Sequence, residues 1–275
     1  MLVALPGMVK MKMREQQMFQ VDAFTDRVFQ GNPAGVIVTS KGLPADLMQS
    51  IAAENNLAET AFVSGYQTGS MSIRWFTPTV EVELCGHATL AAAHVLRTEY
   101  QVQSKLTFQS RSGLLHVLYE DQMLWLDFPA DVISQCDHTL AAKVESAIQS
   151  RPIELYRGKS DLMAVLESQE QVQGICPNLD DVAALDCRGL IVTAKGMDAD
   201  FVSRFFAPQV GVPEDPVTGS AHTTLIPFWS EKLGKSNLFA KQISERGGEL
   251  RGSLEKDRVK IGGHAVTYLR GSIMI

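Results

Sequence analysis

Glu59, Cys85, His87 and Asp215 are side chains of this sequence whose types suit proton transfer. Glu59 opens the stretch ETAFVS, where strand alternation puts it on the same face as Ala61 and Val63. A carboxylate on an apolar face loses hydration, which raises its pKa and suits it to take and return a proton. The bland alternative is a Glu paired with an Arg or turned to solvent at the strand end. Cys85-Gly86-His87 stands at the head of Leu84–Val95, a stretch without Asp, Glu, Lys or Arg. There His87 can shuttle a proton, donate to a substrate or merely cap a helix. Asp215 precedes Pro216, so it is expected in extended backbone in the loop before a second apolar stretch.

Two other chemistries fit these residues less well. Cys85 and His87 are poorly spaced to share a metal ion, and His94 lies about two helical turns beyond His87. No metal is expected. A two-thiol racemase needs a cysteine in the second half, and EDPVTGSAH (214–222) has none. Cys85 is therefore expected to be a buried structural thiol. A Ser-His-Asp triad stays open, but GxSxG is missing, and Gly219-Ser220-Ala221 at a helix start looks more like an anion cradle.

The elements that must position these groups follow from periodicity. Strands are predicted at 18–25, 34–39, 59–65 and 71–76, helices at 44–55 and 86–97, and three strands within 105–128. The pattern then resumes, with helices near 139–149 and 178–185 and strands near 153–157, 161–166, 189–194 and 201–206. A helix starts at Gly219, and strands fill the end, divided by the pair Gly262-Gly263. Ala88–Val95 and Pro216–Ser230 lack charged residues, and a helix apolar all round is a buried helix. Two such helices imply two sheets, each wrapped around its own helix. The fold class is α+β.

An internal repeat supports two halves. Arg74-Trp75-Phe76-Thr77-Pro78 resembles Arg204-Phe205-Phe206-Ala207-Pro208, and Gly86-His87-Ala88-Thr89 resembles Gly219-Ser220-Ala221-His222. At the offset of the first pair, AETAFVS falls on RGLIVTA (188–194), so Gly189 stands where Glu59 does. The halves are expected at 18–129 and 130–275, with the last strand free to pack back on the first. Their cleft is the default ligand site. Gly86 and Gly219 at the two helix starts let a ligand approach the free N–H groups, which favour a small carboxylate.

Bulk properties narrow the class further. The chain has 275 residues, 45% hydrophobic and 20% charged, with a net charge of −6 and no basic stripe, so neither nucleic acid nor a membrane is an expected partner. Cys85, Cys136, Cys176 and Cys187 are scattered without a CxxC pair, which points to a reducing, cytoplasmic setting. Residues 1–17 read as a disordered extension or an upstream start. No GxGxxG or Walker sequence suggests a nucleotide cofactor.

VDAFTDRVFQGNPAGVIV, NLAETAFV, IRWFTPTVEVELCGHATLAAAHVL and VPEDPVTGSAH together resemble the phenazine-biosynthesis PhzF-like family, from about Met18 to the C-terminus. The resemblance implies the diaminopimelate epimerase-like fold, with two halves, each a β-barrel-like sheet around a central helix, and the site between them. It implies cofactor-independent isomerisation of a small carboxylate-bearing metabolite, biosynthetic work, and a homodimer. It puts the acid–base carboxylate on Glu59 and the accompanying polar groups on His87, Asp215 and Ser220. The substrate carboxylate falls to the helix-start amides around Gly86, Ala88, Gly219 and Ala221. The rivals are an epimerase or racemase using Cys85 as one acid, and a non-catalytic metabolite-binding protein.

Overall fold

The computed structural model describes residues 14–68, 71–103 and 105–275. The first half runs β1 (Glu15–Ala23), β2 (Asn32–Thr39), α1 (Ala45–Asn55), β3 (Glu59–Ser64), β4 (Met71–Phe76), the short β5 (Glu81–Val82), α2 (Gly86–Thr98), β6 (Leu106–Ser110), β7 (Gly113–Glu120) and β8 (Met123–Pro129). A connection carries β9 (Ser134–Gln135) and α3 (His138–Ile148). The second half runs β10 (Glu154–Arg157), β11 (Asp161–Val165), α4 (Gln169–Gly174), α5 (Leu179–Ala183), β12 (Gly189–Lys195), β13 (Phe201–Phe206), α6 (Gly219–Leu233), β14 (Asn237–Gln242), β15 (Gly248–Glu255), β16 (Arg258–Gly263) and β17 (Ala265–Met274).

The pairings repeat. β2 and β3 are parallel with Ala34 opposite Glu59, and β11 and β12 are parallel with Asp161 opposite Gly189. In each half the next strand turns back antiparallel (β4 on β3, β13 on β12), then pairs in parallel with β6 or β14. The buried helix lies in that parallel crossover. The halves are joined as one sheet: β16 pairs with β8, and β17 returns to pair with β1.

Each half curls around its helix because the helix has almost no polar face to give to water. In α2, His87 through Ala93 are all buried, with Val95 and Leu96. Leu90 is fully enclosed, so Leu90→Ala is expected to cost about 2–5 kcal/mol. α6 buries Ala221, His222, Leu225, Ile226, Phe228 and Trp229 and ends at Gly234, whose φ of 66° makes the left-handed stop. Pro227 inside α6 has no N–H, which frees the Thr223 carbonyl. That carbonyl accepts instead from the Asp131 N–H at 3.1 Å, pinning the link between the halves to α6.

The first strand begins at Glu15, three residues before the expected start, because Glu15–Gln17 pair with Ser272–Met274. Residues 1–13 of the expected extension lie outside the described residues. The final break falls at His264 rather than at Gly262-Gly263, which stay in β16. A Cβ on Gly262 would press on the Trp125 ring, so the glycine serves close packing, not a turn. Among the described residues, no helix is long and apolar enough to cross a membrane.

Candidate functional site

The N-terminal ends of α2 and α6 meet between the halves. A Cβ built on Gly86 would lie 3.7 Å from the Gly219 Cα, and the reverse distance is the same. A cavity of about 390 Å³ opens on this junction. Glu59, Cys85, His87 and Asp215 reach it, Phe128 and Phe205 give apolar wall, and Lys159 and Arg188 supply cations.

Paired arginines hold the loops that enter the two helices. Arg74 grips Glu81 through two bonds of 2.7 Å, and Arg204 grips Glu214 through bonds of 2.8 and 3.0 Å. These are the arginines of the repeat, each stapling the segment before its glycine. Cys85 then precedes α2 in extended backbone (φ −144°), and Thr218 does the same for α6 (φ −110°). The position mirrored by Cys85 is thus a hydroxyl.

Glu59 is the first residue of β3, and its Oε2 lies 3.1 Å from His87 Nε2. That is ion-pair distance, yet this buried oxygen has no well-directed hydrogen bond. Burial pushes the Glu59 carboxyl up, but the neighbouring His87 charge brings it below its usual range. The sequence-based expectation of a raised value is therefore corrected: the burial is real, and the neighbouring cation outweighs it. Burial pushes His87 down, but Cys85 and Glu59 carry it well above its usual value. Burial and the Glu59 charge raise the Cys85 thiol. Glu59 thus favours its ionised form, with His87 as its cationic partner.

Asp215 faces them from the second half. Its Oδ1 accepts from Asn32 Nδ2 at 2.7 Å and its Oδ2 from Thr218 Oγ1 at 2.6 Å. Burial raises Asp215, with the His87 charge acting against it. Asn32 also donates to the Val217 carbonyl at 2.9 Å and stands 3.2 Å from His87 Nδ1. Its two hydrogens go to the two oxygens, and its own Oδ1 is buried without a partner. Gly31 makes this placement possible. With φ of 67°, any Cβ there would overlap the Ala23 carbonyl.

Of the expected site residues, the fold gathers Glu59, Gly86, His87, Asp215, Gly219 and Ser220 around the cavity. Ala88 and Ala221 are different: both side chains are sealed in the core, and the Ala88 N–H turns to the Cys85 sulfur. The expectation for these two residues concerns their backbone amides, which side-chain burial leaves untouched. Cys85 is buried as expected, but it touches His87 and lines the cavity.

Sequence reasoning passed over Asn32, Asp161 and Arg188. Arg188 is held by Asp161 on both carboxylate oxygens, 2.8 Å on the Nε side, and donates to Ser220 Oγ at 3.0 Å. The repeat carried a signal for Asp161. It opens the strand beside Gly189, as Ala34 lies beside Glu59, so the second half keeps a carboxylate one strand over.

Glu59, Cys85 and His87 also bring three possible metal-donor atoms within 4.8 Å of one another. His94 stands apart from this group, its Nε2 facing Thr267 Oγ1 at 3.0 Å. The third donor comes from another strand.

The family model described as phenazine biosynthesis-like protein (PhzC-PhzF) matches residues 21–271. An uncharacterized isomerase of Pseudomonas aeruginosa is 51% identical over 257 residues, 93% of this chain and 97% of that protein. The crystal structure of a PhzF family phenazine biosynthesis protein from Enterococcus faecalis is 44% identical, with a TM-score of 0.92 over 95% of this chain and 100% of that one. A hydroxyproline epimerase from Agrobacterium vitis, solved with trans-4-OH-L-proline, shares the fold at 11% identity and a TM-score of 0.59, over 95% of this chain and 93% of that one.

Proposed function

The chain belongs to the phenazine biosynthesis-like (PhzC-PhzF) family, and from that premise we propose that it is an isomerase moving a proton within a small carboxylate-bearing metabolite. The observation that carries this reading is the Glu59–His87 pair, a base kept ionised at the wall of a cavity that also receives two helix starts. The first N–H groups of a helix have no intrahelical partner, so the ends of α2 and α6 at Gly86 and Gly219 suit a substrate carboxylate. Glu59 takes the proton from a carbon near that carboxylate. The charge that develops is met by the helix ends and by the His87 imidazolium. Glu59 then returns the proton to a different carbon. Asp215 and Ser220 orient the substrate's polar groups.

The epimerase reading gains one observation, since Cys85 lines the cavity. However, its sulfur lies on the same side as Glu59, within 4.8 Å, whereas inversion needs acids on opposite faces. Thr218 stands where the second thiol would be.

Proton–deuterium exchange at the carbons of small carboxylates, followed by NMR in deuterated buffer, tests the reading. Glu59→Gln is expected to fold and bind but to lose exchange by about 100-fold or more. Undiminished exchange in that variant removes Glu59 from the chemistry. Cys85→Ser is expected to lose little, and a collapse there favours the epimerase. Saturable binding without exchange in the wild type favours a binding protein.

A further inference from the structure

We propose that the cavity takes a substrate with a second carboxylate, and that Arg188, with Lys159 beside it, is the residue that recognises this group. The inference deepens the isomerase reading and takes from it the place of the first carboxylate, at the two helix starts.

Unspent donors point to it. A guanidinium has five N–H donors. Arg188 turns Nε and Nη2 to the two oxygens of Asp161, and Nη2 also donates to Ser220 Oγ. Its Nη1 hydrogens have no partner among the described residues, and the side chain, 40% exposed, lines the cavity. Ser220 Oγ accepts from Arg188, so its own hydrogen is free to turn to a ligand. The Lys159 ammonium, also at the cavity, has no partner among the described residues.

The acceptors nearby are engaged. Three carboxylates act on Arg188: Asp161, Asp215 and Asp131. Asp161 gives both oxygens to Arg188 itself. Asp215 accepts from Asn32 and Thr218, and Asp131 accepts from the Lys159 N–H and from Thr224. This wall therefore offers donors to a ligand.

Counting favours a second group over a shared one. A carboxylate has about four lone-pair sites. The first two N–H groups of each helix, at Gly86, His87, Gly219 and Ser220, have no partner among the described residues and fill those sites. Arg188 Nη1, the Ser220 hydroxyl and Lys159 remain for another acceptor.

The repeat separates the two tasks. Arg188 stands where Ala58 does in the first half, and Ser220 stands where His87 does. The Arg188–Ser220 contact of 3.0 Å thus mirrors the Glu59–His87 contact of 3.1 Å, each joining the head of a strand to the head of a helix. The first half brings a base to the cavity, and the second brings a guanidinium. Asp161, 5% exposed, is the positioning residue for Arg188. The Arg188 Cζ also lies 5.4 Å from the centre of the Phe205 ring, which fills the space where Gly189 lacks a Cβ. A guanidinium held in this way loses little freedom on binding.

Calorimetry on the full chain at neutral pH tests the assignment. Straight-chain dicarboxylates from malonate to adipate are each set against the monocarboxylate of equal length, propionate to hexanoate. In the wild type at least one dicarboxylate is expected to bind about ten-fold or more tighter than its monocarboxylate, the effect of one charge-assisted hydrogen bond. Arg188→Met abolishes that ratio. Should it fold poorly, the double variant Asp161→Asn, Arg188→Met removes the buried charge left unpaired and carries the same readout. Glu59→Gln keeps the ratio, because the discrimination lies in binding and not in proton transfer. A ratio near one across the series, no dicarboxylate bound, or a preference that survives loss of Arg188 overturns the assignment and leaves proton transfer to its own exchange test. An Arg188-dependent preference without deuterium exchange supports the assignment and removes the isomerase reading instead.

Discussion

His87 Nε2 and Glu59 Oε2 stand 3.1 Å apart, although the first sits one residue into α2 and the second opens β3. The contact exists because the β3 edge and the α2 start both meet the boundary between the halves. It holds a carboxylate low and an imidazole high in a place where burial alone would do the reverse.

The pair has a pH signature. His87 is raised above its usual 6.5, so its stabilising effect is complete below that value and is lost as pH rises through the folded-state pKa. Three titratable groups face it. Glu59, lowered from 4.5, stabilises above that value and loses its effect as pH falls, whereas Asp215, raised from 3.8, acts in the opposite sense. Cys85, raised from 9.0, weakens the fold only on the alkaline side of 9.0. Urea unfolding is therefore expected to show stability falling as pH rises above 6.5 in the wild type, and a flatter profile in His87→Gln. Identical slopes for the two proteins contradict the ion pair.

Asn32 tests the seam between the halves. Its amide hydrogens satisfy the Asp215 carboxylate and the Val217 carbonyl, both in the second half. Asn32→Ala leaves two buried acceptors short of a donor and is expected to cost about 2–4 kcal/mol in urea unfolding, at about 1–2 for each. A cost under about 0.5 kcal/mol would mean that water replaces the amide freely.

The helix-start glycines separate binding from folding. A methyl group on Gly86 meets Gly219, Leu126 and Phe128 at 3.7–3.9 Å, ordinary contact, and the backbone there is not left-handed. Gly86→Ala is therefore expected to keep or slightly raise the melting temperature while weakening carboxylate binding, read by calorimetry. Gly189→Ala is the contrast. Its methyl would overlap the Phe205 ring, so a stability loss of about 1–3 kcal/mol is expected. Equal stability effects of the two substitutions would show that the helix starts do not approach as described.

Much of the architecture is legible in the residues. Charge-free stretches mark α2 and α6, and the pairs Arg74/Arg204 and Gly86/Gly219 mark the repeat. The parallel pairings beside Glu59 and Gly189 obey it. Less legible were β14, β15 and the short α4, where half-buried strands and a six-residue helix give weak periodic signals. Asp161 and Arg188 were missed because a bidentate pair between two strand starts leaves no local pattern.

The sequence by itself determined most element types and the repeat and singled out Glu59, His87 and Asp215 as candidates for proton transfer, because these depend on side-chain chemistry and short-range periodicity. Only the tertiary structure decided what those residues are. The Glu59 carboxyl is drawn down by His87 rather than raised by burial, Cys85 is its neighbour and not a bystander, and Asn32 is the bridge to Asp215. Each of these rests on distances between atoms far apart in the chain. Charge interaction, desolvation and ligand convergence are functions of those distances and not of position along the sequence.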